Sequence, residues 1–261
     1  MCYNVAMLTV FSATILGLVE GITEFLPISS TAHLILVSNL LGLGDGAFLK
    51  SFEISIQSGA ILAVIVFFWK KFWDWEMIKR LIVAFIPTGI IGLALYKVVK
   101  DYLLGNTAVV LWSLALGGLV LIFFEKFVRK EGLVSDIKQL SYGKTAVIGL
   151  AQSLVVIPGV SRSAATIVGG MFLGLTKEAV VEFSFLLAVP TILAATGLDL
   201  FKNLGSFNAS EMTGLSIGFV VSFAAAVLGI RFFLKYIRNH SFVSFGLYRI
   251  VLVILFLLLI R

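Results

Sequence analysis

Two short polar stretches in an otherwise apolar chain carry the residue types that could do chemistry. The first runs from Glu20 to His33 and places Glu20 and Glu24 four residues apart, one turn apart on one face of a helix. Two carboxylates on one face in an apolar setting invite a metal ion, a shared proton or a basic partner. The plainer alternative is that both face water at an outer mouth. After Pro27 comes Ser29-Ser30-Thr31-Ala32-His33, a hydroxyl cluster that would cap a returning helix and leave backbone N–H groups free for an anion. Ser30 and His33, three apart, can share a face as a nucleophile and its base require, although an ordinary cap beside a helix histidine fits the pattern at least as well.

The second stretch reads Pro158-Gly159-Val160-Ser161-Arg162-Ser163-Ala164-Ala165-Thr166. Its break again delivers a helix N-terminus rich in hydroxyls, and it adds Arg162. That side chain is permanently charged and its planar fork matches phosphate oxygens. A purely structural pairing of Arg162 with Glu20 or Glu24 is the competing reading. Thr166 lies one turn on from Arg162. Gln57 and Gln152 are plausible supporting donors. Two helix ends, hydroxyls, one Arg, one His and two Glu make a phosphate-handling inventory. In it Ser29, Thr31, Gln57, Gln152, Gly159, Ser161, Ser163 and Thr166 would contact substrate, and Glu20 and Glu24 would hold a divalent ion. Asp199 and Glu182 stand near segment ends where charges reach the interface, and His240 sits in a basic loop; none is assigned a role.

The elements that must position these residues are membrane helices. Of 261 residues, 60% are hydrophobic and only 13% charged, with a mean hydropathy of +1.09. A soluble surface needs roughly 25% charged residues, so the surroundings are lipid. Apolar runs recur along the whole length, which excludes a soluble domain on one anchor. The net charge of +6 reads as topology signals in loops and not as a nucleic-acid surface. Cys2 can form no internal disulfide. The first basic residue is Lys50, so neither a lipid-anchor cysteine nor a cleaved signal peptide is expected.

Six segments, about 52–69, 78–96, 107–124, 179–200, 212–230 and 244–260, are long enough or nearly so to cross about 30 Å of hydrocarbon. Regions 8–42 and 145–175 are interrupted by Pro27 and Pro158-Gly159, and each reads as a re-entrant helix hairpin. The expected fold is therefore all-α and polytopic, with six transmembrane helices and two re-entrant hairpins in a single membrane domain spanning 1–261. If the loop carrying Lys70, Lys71, Lys79 and Arg80 is cytoplasmic, that side holds 13 basic residues against 5 opposite. Both termini then face outward.

The two hairpins enter from opposite sides. Gly17-Leu18-Val19-Glu20 matches Gly149-Leu150-Ala151-Gln152, and Ser29 matches Ser161, both at a spacing of 132. Ile61-Leu62-Ala63 matches Ile192-Leu193-Ala194 at 131. Halves of about 1–125 and 140–261, each with one hairpin and three spans, must be inverted relative to each other, an architecture that puts a site at the repeat interface.

The stretch Leu18-Val19-Glu20-Gly21-Ile22-Thr23-Glu24-Phe25-Leu26-Pro27-Ile28-Ser29-Ser30-Thr31-Ala32-His33, together with Pro158-Gly159-Val160-Ser161-Arg162-Ser163 and Gln57-Ser58-Gly59-Ala60, resembles the signatures of the undecaprenyl-pyrophosphate phosphatase family, the bacitracin-resistance type. The resemblance extends over essentially the full length. It implies an integral enzyme of the cell (inner) membrane, a hydrolase that removes the terminal phosphate of a C55 polyprenyl pyrophosphate. Such an enzyme uses Mg²⁺ or Ca²⁺ and regenerates the carrier lipid for peptidoglycan and cell-wall synthesis. It further implies Glu20, Glu24, Ser30, His33 and Arg162 as catalytic positions. The family pattern usually has Gly where Ala164 and Ala32 stand, which touches helix approach and not chemistry. The expected mechanism has the pyrophosphate entering from the outer face. Either Ser30, deprotonated by His33, attacks, or His33 or Glu24 activates water. The rival function is a polyprenyl-phosphate transporter or flippase, since midplane sites in inverted repeats are transporter features. A homodimer is possible.

Overall fold

The computed structural model describes residues 8–44, 46–103, 106–127, 133–203 and 207–259. The expected outward position of both termini, and Cys2 and Arg261 with them, lie outside the described residues. Among those residues there is no strand beyond one isolated bridge, Val134 to Leu175. Ten α-helices follow in order: α1 (Val10–Thr23), α2 (Ser30–Leu40), α3 (Ala47–Phe67), α4 (Trp75–Val98), α5 (Thr107–Phe127), α6 (Tyr142–Gln152), α7 (Arg162–Phe172), α8 (Lys177–Asn203), α9 (Ala209–Ile237) and α10 (Val243–Leu259). Polar caps begin several of them. The Thr9 hydroxyl accepts from the Ser12 N–H and Asn208 from the Glu211 N–H, each closing a capping box.

Five helices, α3, α4, α5, α8 and α9, are long and apolar enough to cross a membrane. The sixth expected span forms α10, whose 17 residues fall just short of that measure. Trp69, Trp73 and Trp75 are exposed around the basic turn before α4, where amphipathic rings meet a membrane surface. The large side chains that remain exposed on α4, α5, α9 and α10, such as Ile90, Trp112, Leu228 and Ile254, would be a solubility hazard in water and are ordinary against lipid.

Both polar stretches fold as helix, break, helix. Pro27 and Pro158 stand in the breaks, where a missing N–H does no harm, whereas Pro87 and Pro190 lie inside α4 and α8. The two breaks share backbone detail. Ser29 and Ser161, 132 residues apart, both have positive φ (70° and 74°) and both cap the following helix through the side chain. Gly42 and Gly174, again 132 apart, close those helices in the left-handed region. Thr9 and Ser141, at the same interval, cap α1 and α6.

Packing repeats the correspondence. Helix α1 lies along α9 while α6 lies along α4; α3 pairs with α8, and α5 with α10. Glycines permit the closest approaches. A Cβ on Gly21 would stand 2.3 Å from the Ser222 carbonyl, and one on Gly149 only 1.9 Å from the Ala84 carbonyl. Backbone-to-backbone contact of this kind replaces the hydrophobic driving force that lipid removes.

Candidate active site

The two breaks meet. Ser163 at the start of α7 donates to the Phe25 carbonyl in the first break at 2.9 Å. Alongside, Arg162 donates through Nη2 to Glu24 Oε1 at 3.1 Å and through Nη1 to the Ser184 carbonyl of α8 at 2.8 Å. The other Glu24 oxygen, Oε2, accepts from Ser30 Oγ at 2.5 Å. One carboxylate thus bridges a serine at the N-terminus of α2 and an arginine at the N-terminus of α7. All three side chains are buried.

A cavity of about 330 Å³ opens over this bridge, lined by Glu24, Ser30 and Arg162 together with Ser29, Thr31 and Gln57. Gly159, Ser161 and Thr191 complete its polar wall. Gln57 is ten residues from either end of α3, about 15 Å along the axis, midway along a helix long enough to cross a membrane. Of the first N–H groups of α2 and α7, which have no partner within their own helices, those of Ala32 and Ala164 are capped by Ser29 and Ser161, and Ser30, Thr31 and Arg162 at the helix starts line the cavity.

Glu20 lies one turn before Glu24 and is fully buried, with no hydrogen-bond partner for either oxygen. A charged carboxylate stripped of water needs a proton or a cation. The Glu20 oxygens are hard donors of the kind a divalent cation takes, while Glu20 lies outside the lining of the cavity and both Glu24 oxygens are bonded to Ser30 and Arg162. Among the described residues no three His, Cys, Asp or Glu converge as a ready-made cage. An ion here would complete its shell with water and phosphate oxygens, the habit of Mg²⁺.

The expected pairing of Ser30 with His33 is not formed. His33 Nδ1 meets the Ser29 carbonyl at 2.8 Å, and Nε2 meets the Tyr248 hydroxyl of α10 at 2.8 Å. A carbonyl only accepts, so Nδ1 carries a proton and donates to Ser29, while Nε2 shares its hydrogen bond with the Tyr248 hydroxyl. The ring is held by the Ser29 carbonyl and the Tyr248 hydroxyl, although Ser30 stands on the same side of α2. The Ser30 proton points to Glu24 instead. Three further residues expected to touch substrate line no part of the cavity. Gln152 donates to the Thr88 and Thr191 hydroxyls of α4 and α8. Thr166 bonds the Arg162 carbonyl and Gln152, and Ser163 is committed to Phe25. Their polar groups are spent tying the frame together.

Tyr248 stands in no motif, and Arg249 is marked in the sequence only as a basic residue inside an apolar segment. Arg249 is fully buried and reaches the carbonyls of Gly159 and Val160 in the second break, at 2.8 and 3.2 Å. An ionisable residue inside a membrane segment was signal enough to find it. Its partners, being main-chain atoms of a distant loop, left no trace in residue types.

The family described as "Bacitracin resistance protein BacA" matches residues 13–255. A protein of Aquifex aeolicus named undecaprenyl-diphosphatase is 52% identical over 246 residues, 94% of this chain and 96% of that protein. Proteins of the same name from a Sulfurihydrogenibium species and from Persephonella marina are 51% and 50% identical, covering 96% and 95% of this chain and 99% and 98% of their own lengths.

Proposed function

The chain belongs to the bacitracin resistance protein family, and from that premise we propose that it is a multi-pass membrane phosphatase hydrolysing undecaprenyl diphosphate to undecaprenyl phosphate and inorganic phosphate. The single observation that carries the reading is the Ser30–Glu24–Arg162 bridge at a cavity midway along α3. It offers a hydroxyl, an acceptor for its proton and a phosphate-matching cation within one hydrogen-bonded unit. Nothing in that unit is needed merely to let a lipid pass, and the relatives are named for hydrolysis, so the transporter reading is not favoured.

On this reading Arg162 and the N-termini of α2 and α7 hold the phosphates, and the incoming phosphate competes with Glu24 for the guanidinium. Glu24 takes the Ser30 proton as Oγ attacks the terminal phosphorus. The bond from phosphorus to the bridging oxygen breaks, and its electron pair leaves on undecaprenyl phosphate. Water then cleaves the phosphoserine, releasing inorganic phosphate and restoring the hydroxyl. Glu20 and Glu24 would hold Mg²⁺ or Ca²⁺, which when bound supplies charge neutralisation for the phosphate oxygens. His33 acts from outside the cavity, orienting α2.

The topology belongs to the same proposal. Taking α10 as a sixth span, the α1–α2 and α6–α7 pairs are re-entrant hairpins of two inverted halves, supported by the matched caps and breaks. With the basic Trp-bounded turn before α4 in the cytoplasm, the cavity lies level with the middle of α3 and α8 and reaches Val99 at the outer end of α4. Lipid diphosphate would therefore enter from the outer leaflet.

The test is phosphate release by purified protein in detergent from undecaprenyl diphosphate, with and without chelator, and with Ser30→Ala. Turnover that stops on chelation and returns with Mg²⁺ or Ca²⁺, a loss of at least about 10³-fold in Ser30→Ala, and phosphoserine trapped by rapid acid quench are expected. Near-full activity of Ser30→Ala would leave water activated by Glu24 as the nucleophile. No release by folded wild-type protein would sink the phosphatase reading.

A further inference from the structure

The catalytic cavity has an apolar neighbour. A second cavity, also about 330 Å³, lies between the C-terminal part of α4 and the end of α6, and its wall is apolar apart from Ser153. Three residues, Val99, Val156 and Ile157, line both cavities. The two cavities therefore share these side chains, and polar and apolar compartments adjoin at the second break. Farther out the apolar cavity is flanked by Leu95, Val98, Leu150 and Leu154, all partly exposed on the surface that faces lipid.

Local backbone shapes this junction. Helix α4 widens into a π-helical turn at Val99–Leu103, and α6 tightens into a 3₁₀ turn at Ser153–Val156. Both departures fall where the two cavities touch, and each displaces side chains from the track a regular helix would give them. Single π-turns inside helices gather at functional sites.

We propose that this groove seats the first isoprenyl units of the substrate, so that the tail leaves the site between α4 and α6 and not between α3 and α8. This rests on the phosphatase reading and deepens it. The occupant is a polyprenyl chain covalently joined to the phosphates and not bulk lipid, because the groove runs directly into the wall of the phosphate cavity. The placement also orients the diphosphate. The tail-bearing phosphate lies toward Ile157 and the N-terminus of α7, and the terminal phosphate lies toward Ser30. The leaving oxygen is then directed away from the serine, as displacement requires.

Two experiments test it. A benzophenone-bearing polyprenyl diphosphate, photolysed on the full chain in detergent, should label peptides within 91–103 or 150–157. Excess unlabelled substrate should abolish that labelling. Labelling around Ile54 and Ile192, or labelling of the groove that substrate does not compete away, would overturn the proposal, the latter because any lipid then suffices. In the second, Leu150→Trp and Leu154→Trp fill the groove from its lipid side. The ratio of kcat/KM for undecaprenyl diphosphate to that for methyl diphosphate, which has no isoprenyl unit to place in the groove, should fall at least about tenfold. An unchanged ratio in both folded variants would overturn it. Wild-type protein that hydrolyses neither substrate would instead defeat the phosphatase reading, and labelling would still report on the groove.

Discussion

At the scale of single residues, the site depends on one carboxylate having two partners. Glu24 is bound on one oxygen by Ser30 and on the other by Arg162. Replacing Arg162 with Lys keeps the charge but loses the planar fork that reaches Glu24 and the Ser184 carbonyl together. A fall in kcat/KM of about 10²-fold or more is expected in the phosphate-release assay. Removing the Tyr248 hydroxyl affects only the outer nitrogen of His33. Tyr248→Phe should reduce turnover by less than about tenfold, while a histidine acting as base would lose far more. Glu20, Glu24, Ser30 and Arg162 were all legible from residue type, since charge and hydroxyls in an apolar chain stand out. The wrong pairing of Ser30 with His33 was not avoidable at that level. Spacing gives the angle between side chains on a regular helix, whereas the partners they take are set by what the neighbouring elements present, Glu24 to Ser30 and Tyr248 to His33.

At the scale of elements, the breaks are held in part by contacts that lie outside the cavity. Gly149 brings α6 onto α4 so closely that a Cβ would meet the Ala84 carbonyl at 1.9 Å, a backbone atom that cannot turn aside. Gly149→Ala should lower stability by about 1–3 kcal/mol, read as a drop in the midpoint of thermal unfolding in detergent. Turnover of the surviving folded fraction should also fall, because Gln152 at the end of α6 ties α4 and α8 together. The helices themselves were easy to read. Polar caps, apolar runs and breaking prolines mark both hairpins within a few residues. Pro87 and Pro190 gave no useful signal, because a proline inside a membrane helix is tolerated when neighbours satisfy the freed carbonyl. The spent role of Gln152, Ser163 and Thr166 was equally hidden. Which polar groups face a cavity and which face another helix depends on how helices rotate against each other, and short glycine contacts decide that.

At the scale of the whole molecule, the question is which side the cavity faces. In a background where Cys2 is replaced by Ser, single cysteines at Lys144 and at Ser210 sit on exposed ends of α6 and α9. A membrane-impermeant maleimide should label Ser210→Cys in right-side-out vesicles and Lys144→Cys only in inside-out ones. The opposite pattern would reverse the topology and place the cavity on the cytoplasmic side. The spacing of 132 had already suggested two related halves. What the residues could not give was how the halves engage, because the α1–α9, α4–α6 and α5–α10 pairings join parts far apart in the chain.

Because Ser30 and Arg162 stand 132 residues apart, directly after the two positive-φ serines, they occupy the same place in the two halves. A diphosphate is itself nearly symmetric about its bridging oxygen, one phosphate for each helix end. Hydrolysis destroys that match, since neither product can span both ends. The enzyme should therefore release what it makes more readily than it binds what it cleaves. Inorganic diphosphate, or an analogue with a methylene bridge, should compete with substrate at concentrations at least about tenfold below those at which phosphate does.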